Sequence, residues 1–157
     1  DNTVEIQLPF IKYFFPDAKI CAFRSPSTTD AIKLGEKCAE VSKTLNKKAI
    51  FIGSLDLTHY GSRYGFAPKG TDKNSFEWVK NVNDKGFIDN VLKLDAENAI
   101  SHAINNQSSC SPGAAASVIG AVKTISNNPQ AKLVDYYTSA DIMMDTNFVG
   151  YAGIIFS

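Results

Sequence analysis

The 157 residues carry sixteen basic and sixteen acidic side chains, a formal net charge of zero, and 44% hydrophobic residues. That balance gives no global field to pull the chain onto nucleic acid or an anionic membrane, so any ligand must be held by a local site. No apolar run approaches the ~18–20 residues needed to span a bilayer, and a chain of this length fits one domain over residues 1–157, able to bury about two thirds of its unfolded surface.

In chain order, Val4, Leu8, Ile11 and Phe15 recur at helical spacing, with Ile6 and Phe10 widening the stripe. Residues 3–14 are therefore expected to form a largely buried helix that ends by Pro16 and is kinked or started by Pro9. Residues 18–23 form a short apolar run expected to be a buried strand, closed by Ser25-Pro26-Ser27. Thr29-Asp30 can cap a helix to about Leu45 that places Ala31, Leu34, Cys38, Val41 and Leu45 on one face. After a solvated turn over residues 43–48, Ala49-Ile50-Phe51-Ile52-Gly53 reads as a central parallel strand. The resulting strand–helix–strand unit would set ligand groups after its second strand, at residues 54–61.

The glycine- and aromatic-rich segment 61–71 is expected to be an ordered loop. Residues 73–93 and 95–106 read as two helices separated near Leu94, with Asp95 as the second cap, and Phe76, Trp78 and Val79 as one packed side. Pro112 suits the first turn of a small-residue helix reaching about Ile125, and residues 133–138 and 148–156 finish as strands. The fold class is α/β: a three-layer domain with a central, mostly parallel or mixed sheet flanked by helices.

Two features carry chemistry. Asp56-Leu57-Thr58-His59 sets a carboxylate and an imidazole three residues apart after the central run, where an Asp can orient a His as a general acid/base or a partner of a metal. The same spacing equally suits an Asp cap and a His bonded to a loop carbonyl. Cys110 precedes a helix N-terminus, where exposed N–H groups favour thiolate, a nucleophile or soft metal ligand, although a free cysteine is also a common small buried hydrophobe. His102 reads as a solvated surface histidine, and Cys21 and Cys38 read as core. Three cysteines are too few and scattered for a disulfide framework, which favours a reducing compartment, the cytoplasm. The opening Asp1-Asn2-Thr3-Val4-Glu5 lacks a secretory signal and an initiator Met, so the chain is expected to begin inside a longer parent or after removal of a leader.

Four ordered stretches together resemble the Memo family, the α/β relatives of the extradiol dioxygenases that include the AmmeMemoRadiSam system protein B group. Glu5-Ile6-Gln7-Leu8-Pro9-Phe10 resembles the end of "EHSIEVQLPF", and Ser54-Leu55-Asp56-Leu57-Thr58-His59-Tyr60-Gly61 is similar to "SSDFTHYG". The stretch "NQSSCSPG" from Asn106 takes the place of "TICGxxP", and Tyr136-Tyr137-Thr138-Ser139 with Phe148-Val149-Gly150-Tyr151-Ala152 resembles the "YxxS" and "SVVGYA" close. The match covers essentially the whole chain as the family's C-terminal half. It implies an extradiol-dioxygenase-like fold and a pocket in which iron or copper meets Cys110 and His59, with Asp56 and His59 as the acid/base pair. Asn2, Leu55 and Ser111 depart from the motifs, standing where the family has His, Ser and Gly. The family's upstream "PHAGY" and "PSHH" histidine motifs have no counterpart here, so the resemblance implies an under-coordinated site. It would be completed by a missing N-terminal segment or by homo-oligomer formation, or left impaired. The implied ligand is a small molecule or a peptide, the latter in a non-enzymatic signalling module. A true ring-cleaving dioxygenase would need two histidines and a carboxylate, a set this chain does not show.

Overall fold

A computed structural model of the chain describes residues 2–157. Two short helices, α1 (Asn2–Glu5) and α2 (Leu8–Phe14), lead into irregular chain and then the long helix α3 (Asp30–Thr44). A second irregular segment reaches the two-residue strand β1 (His59–Tyr60) and a 3₁₀ turn at Ser62–Tyr64. Helix α4 (Lys73–Trp78) passes through a π-helical stretch, Val79–Asp84, directly into α5 (Lys85–Leu92). There follow α6 (Ala96–Asn106), α7 (Pro112–Ile125), β2 (Ala131–Thr138), the single turn α8 (Ser139–Ile142) and β3 (Phe148–Phe156).

The later elements match the sequence expectation. Leu94 adopts a left-handed φ of 58° and breaks the chain between α5 and α6, and the Asp95 carboxylate accepts the Asn98 N–H at 3.1 Å as the α6 cap. Phe87, Ile88 and Val91 of α5, Ile100 and Ala103 of α6, and Ile119 of α7 form the main core. Leu133, Tyr136, Ile154 and Phe156 of the β2–β3 ladder pack on it. A second cluster joins Tyr60, Val79 and Phe148, with the Phe76 and Phe148 rings stacked at 4.5 Å. The Tyr60 hydroxyl donates to Gly70 O at 2.9 Å and accepts from Lys69 N at 3.0 Å, so the loop 61–71 is ordered, as expected.

The first third departs from expectation. Helix α2 buries none of its residues, and Phe10 is 61% exposed, so the helix at the chain start is broken at Ile6-Gln7 and not largely buried. No sheet ladder among the described residues includes residues 18–23 or 49–53; Ile20, Phe23, Ile50 and Ile52 are exposed, and the parallel strand–helix–strand unit does not form. The sheet is instead small and antiparallel, in the order β1-β3-β2. Helix α3 begins and ends as expected, but Thr29 makes no side-chain cap, and its buried stripe is Ala31, Gly35 and Ala39. That stripe lies flush on α7: a β-carbon at Gly35 would overlap the Ser117 carbonyl oxygen, and Ser117 Oγ donates to Ala31 O at 2.9 Å. Cys38 is only half-buried and Cys21 exposed, so neither is core. The coarse class, α/β with helices packed on a sheet, stands.

Candidate metal centre

The segment before β1 has no helix or ladder of its own, so its backbone groups are satisfied one by one. Leu57 N donates to Gly150 O at 3.0 Å, Gly150 N donates to Thr58 O at 3.1 Å, and His59 then pairs with Val149 across the β1–β3 bridge. On the other side, Cys110 N and Ser109 Oγ both donate to Asp56 O, at 3.2 and 2.9 Å. Asp56 N donates in return to Cys110 Sγ at 3.4 Å. These reciprocal bonds lock the Asp56 backbone onto the segment just before α7.

The side chains converge. His59 Nε2 lies 3.2 Å from Asp56 Oδ2, and one ligand-type atom from each of Asp56, His59 and Cys110 falls within 4.8 Å of the others. Donors around one ion at about 2.0–2.3 Å sit closer together than this limit, so the side chains would draw in on binding one. The His59 and Asp56 side chains are 35% and 43% exposed and Cys110 is exposed, so the group stands at a surface opening. It borders a cleft of 410 Å³ whose apolar wall includes Leu57, Tyr64, Ile104 and Pro112. The Tyr64 ring leans on His59 with centroids 5.1 Å apart.

Thus the structure brings together the three residues that sequence reading named. It also corrects the placement of His102, which is not a free surface histidine: Nδ1 lies 2.8 Å from the hydroxyl of Ser108, a fully buried residue, and burial lowers the ring's pKa below its ordinary value. Tyr64, Ser109 and the buried Asp84 escaped sequence reading. Asp84 had one available signal: with Val79, Phe87 and Ile88 it shares the buried side of a continuous helical run. The side chain of Asn2, where the family's motif carries a histidine, lies outside those described.

Comparison with known proteins follows the same lines. A family profile described as Memo-like protein matches residues 1–155. A MEMO1 family protein of Methanopyrus kandleri is 29% identical over 161 residues, covering 99% of this chain and 52% of its own length. MEMO1 family proteins of Methanococcus vannielii and Pyrococcus horikoshii are each 30% identical, and 99% of this chain again covers 52% and 56% of theirs. The chain therefore spans about half the length of the curated relatives it matches.

Proposed function

The chain belongs to the Memo-like protein family, and from that premise we propose that it is a metal-linked redox protein working through Asp56, His59 and Cys110. The convergence of these three side chains within 4.8 Å carries the reading. The donor set is selective: a thiolate with an imidazole favours iron, copper or zinc over magnesium or calcium. Cys110 and His59 would hold the ion, for which iron or copper is the proposal. Asp56 orients the His59 ring through the 3.2 Å contact, and together they would hold or transfer a proton beside a molecule bound in the cleft. Bound there, the metal would supply electron-transfer chemistry that none of these side chains offers.

Two ligands from this chain, Cys110 and His59, leave coordination positions open. In this reading the remaining part of the family domain, or a second copy, completes the set. The three-layer arrangement with a central parallel or mixed sheet is likewise proposed for the whole family domain. Three free thiols fit a reducing compartment such as the cytoplasm; among the described residues no helix is long and apolar enough to cross a membrane.

Metal analysis of the purified protein tests the reading. Iron or copper should accompany the wild type and fall at least about tenfold in Cys110→Ser and His59→Ala, as loss of a ligand requires. Unchanged metal content in both variants would reject the site. The 410 Å³ cleft also suits a pure binder of a small molecule or peptide. Ligand affinity without any His59-dependent oxygen uptake would select that second reading.

A further inference from the structure

The geometry points to Asp84 as a positioning residue: a buried carboxylate that fixes the Thr58 peptide and hydroxyl and so sets where Asp56 and His59 meet Cys110. Asp84 is 0% exposed, and no ion pair among the described residues includes it. A carboxylate buried without a cation is costly unless its oxygens are fully hydrogen-bonded. Here they are. Oδ1 accepts the Thr58 N–H at 3.0 Å and also the Thr58 hydroxyl, while Oδ2 accepts the Tyr136 hydroxyl at 2.7 Å.

The bonds all concern the metal-site loop or its support. Thr58 lies between Asp56 and His59, and its carbonyl is held from the opposite side by Gly150 N. Asn83, next to Asp84 at the end of the π-helical stretch, donates to Thr58 Oγ1 at 2.9 Å and to Asn106 O at 3.1 Å. Asn106 is the last residue of α6 and leads into the segment bearing Cys110. The pair Asn83–Asp84 thus ties together both arms that carry the metal-site side chains. Strand β3 leaves room for the carboxylate only because residue 150 is glycine; a β-carbon there would overlap Asp84 Oδ2. Pi-helical turns recur at functional sites, and this one ends on the two residues that reach Thr58.

The inference rests on the reading of Asp56, His59 and Cys110 as metal-binding, and its test separates the two. Cobalt(II) serves as probe, because its thiolate charge-transfer band reports ligation by Cys110. In the wild type the band should appear and Cys110→Ser should abolish it; no difference between the two rejects the metal reading alone. Thr58→Val keeps the backbone but removes the hydroxyl, and Asp84→Asn keeps the volume but removes the charge. Each should weaken cobalt affinity about 10–100-fold, the usual effect of losing support behind a ligand, while near-UV circular dichroism stays native. Thr58→Ser, which keeps the hydroxyl, should retain wild-type affinity. If Asp84→Asn does not fold, Thr58→Val decides.

The second readout needs no metal. The ring ¹⁵N shifts of His59 at a pH where it is neutral should show one tautomer, Nε2–H toward Asp56, in the wild type and a mixture in Thr58→Val. A folded Thr58→Val with wild-type ring shifts, and with wild-type cobalt affinity wherever cobalt binds, overturns the inference and leaves Asp84 a purely structural residue.

Discussion

Residues 49–53 and 148–156 are both apolar runs that a sequence reader takes for strands, yet only the second becomes one. In β3 the backbone finds β2 on one edge and β1 on the other, from Ala131↔Phe156 to Tyr60↔Phe148, and its first residues are buried. In 49–53 no ladder among the described residues includes the chain, and Ile50 is 67% exposed. Hydrophobicity says that a segment can be buried; whether it is depends on a partner for both its side chains and its N–H and C=O groups. The same contrast separates α2, which buries nothing, from α5, whose Phe87, Ile88 and Val91 are core.

The sharpest way to break this comparison is a substitution on each side of it. Phe87→Ala, at a residue 2% exposed in the main core, should destabilise the fold by about 3–5 kcal/mol, read from urea unfolding. Next in size is Gly35→Ala, which forces a methyl group into the α3–α7 contact. Overpacking there should cost roughly 1–3 kcal/mol in the same assay, and a neutral result would mean that α3 is not seated on α7 as described.

A smaller effect should show in the pH profile of the C-terminal region. Burial lowers the pKa of His102, so the folded state favours the neutral ring. The stability that ring contributes is complete above its ordinary value of 6.5 and is lost as pH falls through the lowered folded value. The stability gap between wild type and His102→Gln should therefore narrow on acidification below about pH 6.5; a constant gap would show the ring to be solvated after all. Smallest of all, Ile50→Ser should move stability by no more than about 0.5 kcal/mol. A loss approaching that of Phe87→Ala would mean that this face is covered in solution, and the contrast drawn above would fail.

What could be read in advance followed locality. The α5, α6 and α7 helices, the Asp95 cap and both long strands were legible, because periodicity, caps and turn residues lie within the segments themselves. The register of α3 was legible only at Ala31: ranking Leu34, Cys38, Val41 and Leu45 above Gly35 and Ala39 chose the bulky side, whereas close helix contact selects the small one. Asp56, His59 and Cys110 were each visible as reactive types, but nothing local places Cys110 beside a loop 54 residues earlier; that came from the ordered family motifs. Asp84 stayed hidden because an aspartate in a helix rich in Asn and Lys looks solvated until the fold covers it.

The π-helical stretch at Val79–Asp84 has one more consequence. A helix wound at i→i+5 holds one residue more than regular α winding needs over the same span, so it is the place where this chain can lose a residue without rotating its neighbours. Deleting exposed Asn81 would let the run relax to continuous α-helix, with the aromatic side of α4 and the core side of α5 still facing inward. The shortened helix would keep its packing and give up its grip on the loop beside it.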